Sequence, residues 1–157
     1  MPEQKMTRFT PAGARQLVAA GRQAMLSTLR ADGSPYVSYV SHAVFADGSP
    51  LLFISKLAWH TRHLERDGRA SLLVLGEKAQ GDALMTSRVS LMGGFRPIGR
   101  AEGRGLWLAT HPEAEAYLDF ADFGFWRMEV AEVHAVAGFG QIETFAGEAY
   151  RAASPSV

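Results

Sequence analysis

Strand-like segments dominate the pattern of apolar and polar residues along the chain. Segments of this kind, rich in β-branched and aromatic residues, lie at 25–29, 36–45, 51–55, 69–75, 88–92, 125–130 and 133–139. The one that begins at Arg88 can continue past Gly94. Six or more strands joined by short turns predict antiparallel pairing. Such strands can curl into a small barrel that leaves no long exposed edge.

Three helices are predicted between the strands. The first, over 10–21, begins at Thr10-Pro11, because the Thr side chain can accept a backbone N–H bond and Pro at the first helical position lacks only a donor that would be unpaired. A second helix covers 59–67. A third, over 101–119, is divided at Pro112, since the residue before a proline avoids the helical conformation.

The pentapeptide Ala-Asp-Gly-Ser-Pro occurs twice, at 31–35 and at 46–50. Asp-Gly supplies the positive φ angles of a tight hairpin, and the following Pro can begin a strand where no hydrogen-bond donor is required. Two hairpins in series predict a three-stranded antiparallel meander. The repeat therefore reflects turn chemistry rather than a duplicated domain.

The chain is predicted to form one domain over 1–157. Its 157 residues and 47% hydrophobic content suit a single core of ordinary globular composition. The fold class is mainly β with short helices: an antiparallel split barrel of six or more strands, with its core at about 15–145. The tail at 152–157 is expected to be loose.

The net charge is zero, with 16 basic and 16 acidic side chains, which argues against a nucleic-acid partner. The total hides an asymmetry: residues 1–104 carry 14 basic and 8 acidic side chains, a net +6, whereas residues 105–157 carry 2 and 8, a net −6. This distribution suggests a local anion site in the first part, attraction between the two parts, or chance clustering.

Several classes of site and location are excluded or disfavoured. The absence of cysteine rules out disulfides, zinc thiolates and thiol nucleophiles. No apolar run is long enough to cross a bilayer, and residues 1–16 have no signal-peptide core, so we expect no membrane association and a cytoplasmic location. His60 and His63 lie three residues apart but without carboxylates at a suitable spacing, so no metal site is predicted.

The most informative segment follows the strand at 51–55. It places polar and basic side chains at the start of the helix over 59–67, where free N–H groups and the helix dipole attract anions. A bound phosphate explains this arrangement, and a solvated polar turn is the alternative. The residues concerned are Ser55, Lys56, His60, Thr61 and Arg62.

The order of several motifs resembles the pyridoxamine 5′-phosphate oxidase-like family of FMN-binding split barrels. The His-Thr segment at 60, Phe125-Trp126-Arg127-Met128-Glu129 and Gly138-Phe139-Gly140 are most similar to its haem-utilisation branch. The resemblance covers roughly residues 15 to 145. The motifs that carry it are Leu51-Leu52-Phe53-Ile54-Ser55, His60-Thr61-Arg62-His63-Leu64, Asp67-Gly68-Arg69-Ala70-Ser71-Leu72-Leu73-Val74 and Ser87-Arg88-Val89-Ser90-Leu91-Met92-Gly93.

This resemblance implies a homodimer with one FMN in each of two clefts at the subunit interface. The strand over 39–44 would run along the flavin, the start of the helix at 59–67 would hold the phosphate, and Arg88 would face the isoalloxazine or ribityl chain. Trp59 and His60 occupy positions where the family carries Arg and Lys. The predicted cofactor-binding residues are Tyr39, Val40, Ser41, Ser55, Lys56, His60, Thr61, Arg62 and Arg88; no catalytic residue is assigned.

The leading function is an FMN-dependent oxidoreductase acting on an unknown small molecule. The Ser-Arg-Pro and Ser-x-Gln-Ser stretches of true pyridoxamine phosphate oxidases are not found, so that activity is doubtful. The sequence ends soon after Phe145, without the further C-terminal domain of many haem-utilisation relatives, so haem binding or degradation is the alternative. An exposed His42, His60 or His111 would then be the axial ligand. A cofactor-free dimeric barrel is the third possibility.

Aromatic side chains could also wall a flavin. In a small barrel they more often fill the core or an interface. None of them is therefore assigned to the site: Trp59, Phe95, Trp107, Phe125, Trp126 and Phe139.

Overall fold

The structure, a computed structural model, describes residues 9–155. The four helices are α1 Pro11–Ala20, α2 Trp59–Arg66, α3 Arg100–Thr110 and α4 Gly147–Ala152. The eight strands are β1 Gln23–Leu29, β2 Pro35–Ser41, β3 Ala43–Val44, β4 Pro50–Ser55, β5 Arg69–Leu75, β6 Arg88–Ile98, β7 Phe123–Val136 and β8 Ile142–Ala146. Single 3-10 turns lie at Ala83–Met85 and Pro112–Ala116.

All eight strands belong to one curled antiparallel sheet. Its hydrogen-bonded order is β2-β1-β5-β6-β7-β4-β3. The first part of β7 pairs with β4, and its last part pairs with β8. Every recorded pairing is antiparallel. The predicted mainly β split barrel with short helices is therefore confirmed.

The predicted middle strand of the meander, over 36–45, is interrupted at His42. The segment before it pairs with β1, and the segment after it pairs with β4. The two strands at opposite ends of the sheet order, β2 and β3, are thus consecutive in the chain and are joined through this one residue. Both predicted hairpins are present, but the meander is divided between the two ends of the sheet.

The predicted strands at 125–130 and 133–139 form one long strand, β7. The register with β6 shifts by one residue between Met92 and Gly93, where Ala131 is the extra residue on β7. A bulge of this kind changes which face of the sheet successive side chains occupy. The alternation of apolar and polar residues in the sequence therefore stops at the bulge and restarts after it, although the strand continues. The close approach there requires Gly93, since an added Cβ would overlap the Glu129 carbonyl oxygen.

Two elements near the end of the described chain, β8 and α4, are absent from the sequence prediction. The exposed residues of β8 alternate with half-buried ones, which gives little apolar signal. Of the tail predicted to be loose, Ala152 ends α4 and the Ala153 carbonyl accepts a bond from Arg15; Ser156 and Val157 lie outside the described residues.

The core has two parts that share β4. Leu52 and Ile54 point into the main cluster inside the sheet, and Leu51 and Phe53 point into a second cluster beneath α3. A strand buried on both faces reads as a continuous apolar run, which explains the sequence at 51–54. In the second cluster the ring of Phe53 stacks on Phe125 with centroids 4.5 Å apart.

A buried cation closes the region where α1, α4 and the β3–β4 turn meet. Arg15, on α1, is 3% exposed and donates only to backbone carbonyls, those of Tyr150, Arg151, Ala153 and Ala46. Its guanidinium also lies 5.6 Å from the centre of the Tyr150 ring. We call this region the arginine lock. Its contacts join segments more than 130 residues apart in the sequence.

Candidate functional site

Helix α2 crosses one side of the sheet, and its first turn carries three side chains that face different surroundings. His60 faces β2, Thr61 is buried, and Arg62 faces the β1–β2 turn. The helix has no side-chain cap at Ala58. The residues predicted to hold one phosphate are therefore spread around the helix.

His60 is the half-buried member of this turn. Its ring Nδ1 lies 3.1 Å from the Ser38 Oγ of β2. Burial lowers the pKa of His60 below its usual value, and the neighbouring His63 lowers it further. The lowered pKa favours the neutral imidazole at pH 7, and in the tautomer whose Nδ1–H donates to Ser38 the free lone pair lies on Nε2.

Thr61 faces a different side of the helix from His60. It is 1% exposed, and its Oγ1 has no hydrogen-bond partner. It lines a pocket of about 410 Å³ between α2 and the ends of β6 and β7, whose walls include Phe95 and Trp126. A hydroxyl in this position can contribute to a ligand site only from that side.

A basic pocket of about 250 Å³ lies between α2 and the β1–β2 turn. We call it the arginine pocket; it is lined by Arg30, Ala31, Trp59, Arg62, His63 and Arg66. The Nδ1 of His63 is 2.8 Å from the Thr28 Oγ1, which fixes the ring. Burial lowers the pKa of His63, and Arg66 and Arg30 lower it further.

An aromatic contact connects the arginine pocket with the strand that carries Ser38. The ring of Tyr36 lies 5.8 Å from that of Trp59 and meets His63 edge-on at 5.2 Å. Trp59 itself is 58% exposed. The first turn of α2 thus places an imidazole and an exposed indole beside a pocket lined by cations.

The remaining residues predicted at this helix are only partly available. The Ser55 Oγ donates to the Asp122 carboxylate at 2.9 Å and accepts from the Leu57 N–H. The Lys56 side chain is exposed, and its backbone N–H donates to the Asp122 carbonyl. The carboxylate beside Ser55 would repel an anion placed there.

The other predicted residues lie apart from α2. Tyr39 and Ser41 are exposed on the outer face of β2, whereas Val40 points into the main core. Arg88 begins β6, where its guanidinium donates to the carbonyls of Leu84 and Thr86. The structure therefore separates the nine predicted residues into four places: the outer face of β2, the core, the surroundings of α2 and, for Arg88, the start of β6.

Two of the three candidate axial histidines are not exposed, and the prediction is wrong for them. His42 is 0% exposed and His111 is 2% exposed. The Nε2 of His42 lies 3.0 Å from the Val18 carbonyl, and the Nε2 of His111 lies 2.8 Å from the His42 carbonyl. Each of these rings contacts a backbone carbonyl near the junction of β2 and β3. His60 therefore remains the candidate ligand.

The expectation that aromatics fill the core holds for four of the six named. Phe95, Trp107, Phe125 and Trp126 are buried, whereas Trp59 and Phe139 are exposed. The sequence analysis did not name Ser38, which contacts His60, or Arg30 and Arg66, which line the arginine pocket. Spacing could have found one of these, because Arg62 and Arg66 lie four residues apart and share a helix face.

A family model described as CREG, beta-barrel matches residues 6–152. The chain belongs to the CREG beta-barrel family. The chloroplastic non-canonical heme oxygenase HOZ of Arabidopsis thaliana is 35% identical over 152 residues, which are 93% of this chain and 46% of that protein. The chain thus spans less than half the length of this relative.

Solved structures agree with the family assignment. A heme binding protein from Mycobacterium smegmatis superposes with a TM-score of 0.86 at 35% identity, over 95% of this chain and 63% of the other. A Clostridium acetobutylicum protein described as pyridoxinephosphate oxidase family gives 0.68 at 15% identity, over 89% and 96% of the two chains, a likeness of fold alone. The split-barrel resemblance inferred from the sequence is confirmed.

No helix within residues 9–155 is long and apolar enough to cross a membrane.

Proposed function

We propose that this protein binds haem at the first turn of α2, where the His60 side chain would hold the iron. The observation that carries the proposal is the geometry of His60: a half-buried imidazole whose Nδ1 lies 3.1 Å from the Ser38 hydroxyl. Burial, which lowers its pKa, favours the neutral ring that a metal binds. A ligating histidine typically has its second nitrogen held in this way, which fixes the ring and its tautomer.

The surroundings of His60 suit a flat apolar ligand. Leu57 is 71% exposed and Trp59 is 58% exposed, so two large apolar side chains close to His60 in the chain are uncovered. The arginine pocket lies beside the same turn. A neutral imidazole, uncovered apolar side chains and nearby positive charge together form a donor set that fits haem.

The comparisons support the haem alternative over the FMN oxidoreductase. Both relatives at 35% identity are described by haem: one as a heme oxygenase and one as a heme binding protein. The predicted flavin phosphate site has less support here, since Ser55 bonds a carboxylate and Thr61 faces away from His60.

Each residue of the proposed site has a separate task. His60 would bind the iron through Nε2, Ser38 would orient the ring, and Trp59 and Leu57 would cover the macrocycle and exclude water. Bound haem supplies an iron centre for dioxygen chemistry. We also propose that this chain works as a homodimer, with the exposed Tyr39 on the outer sheet face at the interface.

Titration of the purified protein with haemin, followed by its Soret absorption, tests the proposal. We expect saturable binding with one haem per chain. The His60→Ala variant should lose the spectrum of a histidine-ligated iron, and Ser38→Ala should weaken it. The matched control is His134→Ala. It removes a histidine of β7 that contacts Thr144 of β8, and it should leave the spectrum unchanged.

A pH titration of the complex gives a second readout. Burial lowers the pKa of His60 in the ligand-free protein, and a bound iron would compete further with protonation of the ring. The histidine-ligated spectrum should therefore persist at pH 6.5 and disappear only on further acidification. An unaltered spectrum in His60→Ala would overturn the ligand assignment. Tight binding of FMN without haemin binding would favour the FMN-dependent oxidoreductase instead. Binding of neither would favour a cofactor-free barrel.

A further inference from the structure

The arginine pocket differs from every other arginine-rich part of the described chain in what its cations contact. Eight arginines donate to a carbonyl or a carboxylate: Arg15, Arg22, Arg69, Arg88, Arg100, Arg104, Arg127 and Arg151. Four within residues 9–155 have no such partner, and Arg30, Arg62 and Arg66 are three of these. The fourth, Arg96, lies on β6.

Three unpaired guanidinium groups around one pocket repel one another. Their positive field reaches His63, whose pKa is lowered by Arg66 and Arg30 as well as by burial. Three acidic side chains lie close to these arginines in the sequence. Asp32 accepts two bonds from Ser34, although Arg30 also helps to lower its pKa, Asp67 pairs with Arg69, and Glu65 lines the separate pocket that contains Thr61. The position of Arg66 in the last turn of α2 favours that cation alone through the helix dipole.

The pocket has the size and walls of a site for a small anionic group. Its volume of about 250 Å³ accommodates carboxylates or a phosphate but not a whole tetrapyrrole or flavin. Guanidinium groups bind both anions through paired, charge-assisted hydrogen bonds. His63, fixed by Thr28, and the exposed ring of Trp59 give the pocket rigid sides.

We propose that the arginine pocket binds the anionic side groups, carboxylate or phosphate, of a ligand whose ring system lies against His60 and Trp59. For haem these groups are the two propionates, and in that form the inference rests on the proposed function. Arg62 and Arg66 contribute from α2, and Arg30 contributes from the β1–β2 turn. The pocket then sets the orientation of the ligand, while His60 sets the position of its centre.

The first experiment uses no haem. Pyrophosphate and succinate are titrated into the ligand-free protein, with calorimetry and tryptophan fluorescence as readouts, because Trp59 is the exposed indole while Trp107 and Trp126 are buried. We expect binding that weakens at least tenfold in the Arg62→Gln/Arg66→Gln variant. The matched control, Lys78→Gln, removes an exposed cation elsewhere and should bind as the unaltered protein does.

The second experiment compares ligands that differ only in the anionic group. Haemin is compared with its dimethyl ester, and FMN with riboflavin. We expect the unaltered protein to prefer haemin over the ester at least tenfold, and the Arg62→Gln/Arg66→Gln variant to lose this preference while keeping the histidine-ligated spectrum. A preference for FMN over riboflavin with no response to haemin would identify phosphate as the anion.

These outcomes separate the inference from the proposed function. Binding of small anions that depends on Arg62 and Arg66, without haemin binding, supports the pocket and overturns haem as the ligand. A preference for haemin over its ester that survives in Arg62→Gln/Arg66→Gln overturns the pocket while haem binding stands. Absence of small-anion binding together with equal affinity for haemin and its ester also overturns the pocket.

Discussion

The two Ala-Asp-Gly-Ser-Pro turns have identical sequences and nearly identical backbones, yet they occupy opposite environments. In each, the Gly N–H donates to the carbonyl of the residue three positions earlier, and the Asp side chain accepts from the Ser N–H. Gly33 has φ +83° and Gly48 has φ +88°. The first turn is exposed beside the arginine pocket, and the second is buried against the arginine lock.

The difference shows that arginine is bonded to backbone carbonyls in one region and has no such partner in the other. Around the second turn, Arg15 donates to the Ala46 carbonyl and the Tyr150 hydroxyl donates to the Gly48 carbonyl at 2.9 Å. Beside the first turn, Arg30 has no such partner. Local sequence dictates the turn, whereas the surroundings decide whether the region is closed or available to a ligand.

The largest expected effect comes from opening the arginine lock. Arg15→Gln removes a buried cation and leaves several buried carbonyls without a donor, each loss costing about 1–3 kcal/mol. We expect the free energy of unfolding to fall by about 3 kcal/mol or more. Urea denaturation measures this, and Arg104→Gln, at an exposed ion pair, is the control. An unchanged midpoint for Arg15→Gln would contradict the lock.

The two turn glycines provide a matched pair. Gly48→Ala places a methyl group against the Arg15 side chain and 2.8 Å from the Tyr150 ring, in addition to the strain of a positive φ. Gly33→Ala adds only that strain, since no atom lies within 4 Å of the added carbon. We expect losses of about 2–4 kcal/mol and about 1–2 kcal/mol respectively. Equal losses would show that the second turn yields to the added group.

Acidification should lower the stability of the fold through the buried His42. Burial lowers the pKa of His42 below its usual 6.5, so below pH 6.5 the unfolded chain takes up a proton that the folded chain refuses. The free energy of unfolding should therefore fall as the pH drops from 6.5, by at most about 1.4 kcal/mol per pH unit for this group. Urea midpoints between pH 8 and pH 5 measure it; a flatter profile is expected in His42→Gln.

The smallest effect on stability is expected at the open turn. Arg30→Gln removes an exposed, unpartnered side chain and should change the free energy of unfolding by less than about 0.5 kcal/mol. The same variant should bind pyrophosphate more weakly. Thermal denaturation and calorimetry on one preparation test both parts. A clear loss of stability would mean that Arg30, like Arg15, is structural.

The sequence predicted the elements whose chemistry is local. The Thr10 cap, the two Asp-Gly turns and the apolar run of β4 each carry their own signal, and each is present. The bulge at Ala131 and the interruption at His42 depend on pairing with distant strands. No local pattern specifies such pairing, and the sequence analysis missed both.

The same limit applied to the candidate site. The polar helix start at 59–62 was found, because cations in that position are unusual. The directions of His60, Thr61 and Arg62 depend on which strands α2 crosses, so one predicted phosphate site became three separate surroundings. Three of the basic side chains behind the +6 charge of residues 1–104 line the arginine pocket. Arg62 and Arg66 belong to α2, whereas Arg30 comes from the β1–β2 turn.

The junction at His42 bears on how the molecule opens. The strands on either side of it bond to β1 and to β4, at opposite ends of the sheet order, and no loop separates them. Loosening one of these pairings pulls directly on the other. Amide hydrogens of β2 and β3 should accordingly exchange with solvent as a single cooperative unit, instead of fraying independently as the two margins of an open sheet would.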